Sequence, residues 1–244
     1  MAGRRSMRLL CCAIVAALCA VAVVCAAGAA VRSTSRAVGA VHVVGSGVVV
    51  WPRVGVRTAP NLHAAIVVTL GEFGENYRPR PVLAVAARRD ATGRPVWYRI
   101  SIPGRPNGRS GWVPASSIHV KPVDRWLVVF RTQRRFEFVL RGRVVRSGPV
   151  AIGAPGMETP LGLFYVQAKF RPSEPVLGAY AFQTSGYSKL SDWPGGGVVG
   201  VHGTNTPQLI GQAVSHGCVR MRNEDVEYLR SLVLVGTPIK IVAG

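Results

Sequence analysis

Val201-His202-Gly203-Thr204, followed by Val214-Ser215-His216-Gly217-Cys218-Val219-Arg220-Met221, places one thiol and two imidazoles within 17 positions of the chain. A thiol of ordinary pKa, about 8.5, is mostly protonated at neutral pH, so nucleophilic use needs a neighbouring base or positive charge. His202 closes a run that reads as a strand, Val198 to His202, and Cys218 opens another short extended segment. If those two strands are neighbours, the imidazole reaches the sulfur. Glycines at 203 and 217 would let backbone come close to a substrate and leave amides to hold a developing oxyanion. The plainer readings are that a buried free cysteine is inert packing, or that His202, His216 and Cys218 ligate zinc. The set lacks the short paired spacing of structural zinc sites, so no metal is expected.

Downstream of this stretch one helix is well signalled. Asn223 reads as its N-cap, Glu224 and Asp225 put negative charge in the first turn, and Val226, Leu229, Leu232 and Val233 recur on one face. Gly236 and Pro238 stop it. Starting five residues after Cys218, it is expected to pack beneath the site and hold it. Upstream, Trp126 to Phe130, Arg135 to Leu140, Arg143 to Ser147 and Leu161 to Phe170 read as strands, the second and third joined by the turn Arg141-Gly142. Val198 to His202 and Pro238 to Val242 complete the expected strands. Lys121-Pro122 marks a boundary, so residues 122–244 form a mainly β domain with one helix. Residues 48–121 alternate short β-branched runs with turn signals, a spacing that favours a small barrel. In that region Trp97, Tyr98 and Trp112 are expected to fill or cover the core, and Arg105-Pro106-Asn107-Gly108-Arg109 is a turn by its chemistry.

A histidine motif at this spacing from a complete Ser215-His216-Gly217-Cys218 resembles the signature of the L,D-transpeptidase, or YkuD, family. The resemblance runs from about Asp124 to Val242 and takes in the turns Gly153-Ala154-Pro155-Gly156 and Thr159-Pro160-Leu161-Gly162. It implies a YkuD-type β-sandwich, with Cys218 as nucleophile and His202 as the base that takes the thiol proton and later protonates the leaving amine. It further implies that His216 shapes the site around the thiolate and that the Gly217 and Cys218 amides hold the oxyanion. Arg220, at a position where some members carry Asn, would meet a substrate carboxylate, while Ser215 and Thr204 would orient their neighbours. The implied reaction is acyl transfer on peptidoglycan stem peptides, with a thioester on Cys218, release of D-alanine and a 3-3 crosslink. Water as acceptor would make an L,D-carboxypeptidase, and a protein amine an anchoring enzyme. The family resemblance also implies acylation by carbapenems. A different class of function is a wall-binding protein with a dead site. Val56-Arg57-Thr58-Ala59-Pro60, Trp97-Tyr98-Arg99-Ile100 and Gly111-Trp112-Val113 resemble bacterial SH3-like domains, implying a targeting or spacer module over residues 48–121.

The 244 residues divide unevenly, because Leu9 to Val31 carries no charged side chain and follows Arg4, Arg5 and Arg8. That is an export signal over residues 1–31. At a rise of about 1.5 Å per residue the run is also long enough to stay as a membrane anchor. Both outcomes put the remainder outside the cytoplasm, in cell wall or periplasm, with residues 32–47 as a polar tether. Cys11, Cys12, Cys19 and Cys25 lie within the apolar run, where a thiol is a small apolar group, which leaves Cys218 alone downstream. An unpaired thiol in an exported protein points to reactivity. Downstream of Arg8 there are 27 basic against 11 acidic residues, a balance of +16. The surplus is scattered and no nucleic-acid motif accompanies it, so the polyanions expected are wall polymers and not nucleic acid.

Overall fold

The computed structural model describes residues 43–244 apart from 75, 76 and 193. The expected export segment, 1–31, and most of the expected tether lie outside the described residues. Strand β1 (Gly45–Val49) nevertheless begins within the tether as read from sequence. Gly-Ser-Gly has linker composition, but β1 is an inner strand between two neighbours, and a Cβ on Gly47 would strike the His119 carbonyl. Here glycine permits a close backbone approach instead of supplying flexibility.

The front half continues with β2 (Arg53–Arg57), β3 (Ile66–Gly71), β4 (Pro81–Arg89), β5 (Pro95–Ser101), β6 (Ser110–Pro114) and β7 (Ile118–Lys121). They form one sheet in the order β3-β2-β6-β5-β4-β1-β7, all pairs antiparallel, with β3 and β7 at its ends. Alternate residues point inward, as the two-residue strand period requires, and Val54, Val56, Leu70, Val82, Ile100 and Val113 make a core of their own. Tyr98 packs against that core, whereas Trp97 and Trp112 are half-buried outside it.

The back half holds β8 (Arg125–Phe130), β9 (Arg135–Leu140), β10 (Arg143–Pro149), β11 (Ile152–Gly153), β12 (Gly162–Phe170), β13 (Ala181–Tyr187), β14 (Val198–His202), β15 (Ala213–Ser215), β16 (Val219–Arg220), helix α1 (Asn223–Leu232) and β17 (Pro238–Val242). Eight of the strands join in the order β10-β9-β8-β17-β12-β13-β14-β16. β12 belongs to two leaves: its first half pairs with β17, and after a bulge at Val166 its second half pairs with β13. The curled sheet encloses a second core that includes Phe136, Phe138, Phe164 and Phe182, and α1 closes it with Val226 and Leu229. The β9–β10 turn has both central residues at positive φ, Arg141 at 49° and Gly142 at 75°, the type I′ geometry whose twist matches a hairpin.

Two sequence expectations need correction. β13 is absent from the expected strands: Ala-Phe-Gln-Thr-Ser-Gly-Tyr carries polar residues and a glycine, which read as a turn. It is central all the same, and its buried hydroxyls are satisfied: Thr184 Oγ1 donates to the Val199 carbonyl at 2.7 Å, and Ser185 Oγ accepts the Tyr165 amide at 3.1 Å. Asn223 is not a cap. It is the first helical residue, and no side chain caps α1. The apolar face of α1 is as expected, with Val226, Leu229 and Val233 fully buried.

The two halves lie within one compact unit. Tyr165 Oη of β12, wholly buried, donates to the Pro81 carbonyl of β4 at 3.3 Å. Among the described residues no helix is long and apolar enough to cross a membrane.

Candidate active site

β14 and β16 are parallel neighbours with Val201 opposite Val219 and His202 opposite Arg220. That register sets Gly200 beside Cys218. Side chains alternate across a strand, so Gly200, His202, Cys218 and Arg220 share one face. The point where a Gly200 Cβ would stand is 3.4 Å from His202 Cδ2 and 3.8 Å from Cys218 Sγ. Imidazole and thiol therefore converge over a glycine, and a methyl group at 200 would touch both at van der Waals distance.

The thiol is held by its surroundings. Gly200 N–H donates to Cys218 Sγ at 3.3 Å. Ser215 Oγ donates to the Cys218 carbonyl at 2.6 Å and accepts the Gly217 amide at 3.2 Å, closing the turn from Ser215 to Cys218. Gly217 has φ 117°, a backbone that favours glycine, and its missing side chain would lie 2.8 Å from Ser188 Cβ. Cys218 keeps partial solvent exposure. Burial of the sulfur pushes the thiol pKa up, against smaller lowering effects from the Gly200 amide and the Arg220 charge.

His202 Nδ1 lies 2.6 Å from the Gly203 carbonyl. A carbonyl can only accept, so Nδ1 carries the proton in this contact. Burial lowers the imidazole pKa to about 4; the Gly203 carbonyl opposes this, Arg220 adds to it, and the Leu177 backbone opposes it to a smaller extent. The resting pair is thus a neutral imidazole beside a protonated thiol, which is the state a general base starts from. A linkage follows. Between pH about 6.5 and about 4 the unfolded chain binds a proton that folded His202 refuses, so stability falls as pH drops through that window, by roughly 3 kcal/mol in all. Urea midpoints at pH 7 and pH 4.5 should separate more for the wild type than for His202→Gln; equal separations would remove this assignment.

Asn223 supplies what the sequence reading missed. Its Oδ1 accepts the amides of Ala179 and Thr204, both at 3.0 Å, and its Nδ2 donates to the Thr204 carbonyl at 2.9 Å. α1 thereby grips the end of β14 and fixes the Gly203 carbonyl that orients His202. Gly203 leaves room for this amide, since a Cβ there would strike Asn223 Oδ1, and its own amide donates to the Tyr180 carbonyl at 3.0 Å. Gly178, at φ 68°, yields to the same amide from the other side. Thr204 Oγ1 accepts the Thr206 amide at 3.0 Å, turning the chain away from the site.

His216 sits half-buried in the turn before Cys218. Arg220 has a buried Nε that meets no acceptor, although the rest of the residue is only half-buried. Of the two amides implied for an oxyanion, that of Gly217 is already engaged by Ser215. Among the described residues no three His, Cys, Asp or Glu side chains gather as metal ligands.

Comparison with known proteins identifies residues 124–241 with the L,D-transpeptidase catalytic domain, YkuD. The chain is 39% identical over 102 residues to YkuD of Bacillus subtilis, a protein named as a candidate L,D-transpeptidase, covering 42% of this chain and 56% of that one. It is 30% identical over 135 residues to YqjB of the same organism, also named as a candidate L,D-transpeptidase, covering 49% of this chain and 72% of that one. The chain thus spans just over half the length of YkuD. Among solved structures, the catalytic domain of the Enterococcus faecium L,D-transpeptidase is 23% identical with a TM-score of 0.40, covering 49% of this chain and 97% of that one, too low a score to bear on the fold. The signature residues lie within the matched span, His202 and Cys218 share one face of β14 and β16, and the chain belongs to the L,D-transpeptidase catalytic-domain (YkuD) family.

Proposed function

We propose that this protein is a peptidoglycan L,D-transpeptidase working through a Cys218 thioester. The observation that carries the reading is the convergence of His202 and Cys218 over Gly200, with the imidazole held neutral and its Nδ1 proton committed to Gly203. Nε2 takes the thiol proton as Sγ attacks the carbonyl between the diamino acid at position three of a stem peptide and its terminal D-alanine. The C–N bond breaks, the same proton passes to the departing amine, and D-alanine leaves. An amine of a second stem then attacks the thioester, forming a 3-3 crosslink and returning the thiol. No cofactor or metal takes part, since the thioester keeps the acyl group reactive without a nucleotide.

With Gly217 N–H engaged by Ser215, the Cys218 amide is the oxyanion donor in this reading. Arg220, half-buried beside the thiol, stabilises the thiolate as it forms and offers its guanidinium to a substrate carboxylate. His216 lines the approach. Residues 122–244 constitute the catalytic domain and residues 48–121 an SH3-like module that adds affinity for anionic wall polymers, while the apolar run 9–31 carries both to the outer side of the membrane, as signal or anchor. Carbapenems, which offer a strained carbonyl to the same thiol, are expected to acylate Cys218.

Product analysis with donor and acceptor stems both present tests the assignment. Dimers joined 3-3 with release of D-alanine are the expected result. Tripeptide alone would mean a carboxypeptidase, and recovery of unaltered stems would favour a binder with a silent site.

A further inference from the structure

The turn Arg105 to Arg109, in the front half, does more than connect β5 to β6. Arg105 is an exposed residue, so burial does not fix it. Its acceptors do: Nη2 donates to the carbonyls of Ser188 and Leu190 at 2.9 and 2.8 Å, and Nη1 to the Gly196 carbonyl at 2.8 Å. The guanidinium also stands 5.0 Å from the centre of the Tyr187 ring. Two residues on, Asn107 pairs with Tyr187 in both directions: Nδ2 donates to its carbonyl at 2.7 Å and Oδ1 accepts its amide at 3.0 Å. A lone exposed arginine gives up rotamer freedom without return, but a planar fork shared among three carbonyls is a fixed fitting.

All these acceptors lie on the crossing from β13 to β14, and that crossing borders the reactive turn. Ser188 is buried with its Cβ against the position where Gly217 lacks one. Its amide donates to the Gly197 carbonyl at 2.8 Å, and Gly197 leads directly into the strand that carries His202. Gly197 itself cannot bear a Cβ, which would strike the Leu190 carbonyl, the same carbonyl that Arg105 holds. A groove of about 690 Å³ lies at this junction, its lining including Arg105, Asn107, Arg131, Glu158, Ser188 and Lys189.

We infer that Arg105 and Asn107 are positioning residues of the active site, clamping Tyr187–Leu190 and Gly196–Gly197 against the Gly217–Cys218 turn so that the front half shapes the wall along which a stem peptide approaches. The inference rests on the transpeptidase reading for its effect on stems, but the clamp itself does not. It also gives the front half a role beyond wall affinity. The thiol and imidazole are held separately, by Gly200, Ser215 and the Gly203 carbonyl, so loss of the clamp disturbs the wall and leaves their chemistry in place.

The test uses the full chain carrying Arg105→Ala, and in parallel Asn107→Ala as a milder lesion should the first fold poorly. Hydrogen exchange followed by mass spectrometry should show at least tenfold faster exchange of the Ser188 and Leu190 amides, with β8 and β12 unchanged. Acylation of Cys218 by a tetrapeptide stem should fall about tenfold, while alkylation by iodoacetamide and its pH profile stay within twofold of wild type. Unchanged exchange at 188–190 would overturn the inference. So would a parallel loss of acylation and alkylation with faster exchange throughout the core, which would mark a general structural role. Exchange reads the clamp even if wild type turns over no stem, so failure of the proposed activity is distinguishable from failure of the clamp.

Discussion

Cys218→Ala is expected to abolish every covalent adduct of the protein, both with a tetrapeptide stem and with a carbapenem, while leaving the fold intact. The sulfur is the sole thiol among the described residues, and its removal costs one amide contact of 3.3 Å and a small amount of half-buried surface. Intact-mass spectrometry of residues 43–244 reads the result directly. An adduct that survives would place the nucleophile elsewhere and end the mechanism. The wild-type pH profile tests the next step. Burial raises the thiol pKa and holds His202 neutral down to about pH 4, so free thiolate is scarce at neutrality. Alkylation by iodoacetamide should therefore climb about tenfold per pH unit between 6 and 8, as for a thiol titrating above that range. A plateau across those values would instead reveal a preformed thiolate–imidazolium pair. His202→Ala should depress stem acylation by about two to four orders of magnitude at neutral pH, the usual contribution of a general base. It should affect alkylation at high pH much less, because there the thiolate no longer needs a proton acceptor.

Local chemistry made much of the back half legible. Alternation and the Arg141-Gly142 turn mark β8 to β10, and the helix is recognisable from Val226, Leu229 and Val233. The signature residues were legible because chemistry dictates residue type: a thiol, an imidazole and glycines at fixed spacing. What escaped were roles set by tertiary contact. Asn223 has the composition of a cap, and nothing in its neighbourhood in sequence says that its amide faces Ala179 and Thr204 instead. The crowding of Gly203 by the Asn223 amide is hidden for the same reason. β13 hides because its polar residues are satisfied by partners on β12 and β14, which no one-dimensional pattern records. Gly45 and Gly47 read as linker, since crowding by β7 is invisible until the sheet is assembled. Arg105 and Asn107 likewise fit a turn by composition, and only the fold brings them to Tyr187 and Ser188.

Asn223→Ala is the second large effect. The substitution leaves two amides and one carbonyl, those of Ala179 and Thr204, without partners at the end of β14. At about 1 kcal/mol for each bond lost, and more where the orphaned group stays dry, stability should drop by about 2 to 4 kcal/mol. Activity should fall further than stability explains. Gly178 and Gly203 have no side chains with which to fill the space, so the backbone between them is free to relax into it. The Gly203 carbonyl then leaves Nδ1 of His202, and the imidazole is free to shift from its place beside the thiol. Misplacement of a catalytic group on the scale of an ångström costs about 100-fold, and a loss of that size is expected in acylation by a stem. Asn223→Asp separates the two effects. Its carboxylate still accepts both amides but repels the Thr204 carbonyl, so it should recover part of the stability and only part of the rate. Thermal unfolding and acylation kinetics on the three proteins decide the matter: a rate that simply follows the folded fraction would reduce Asn223 to a structural residue, and an unchanged rate in Asn223→Ala would separate α1 from the chemistry altogether.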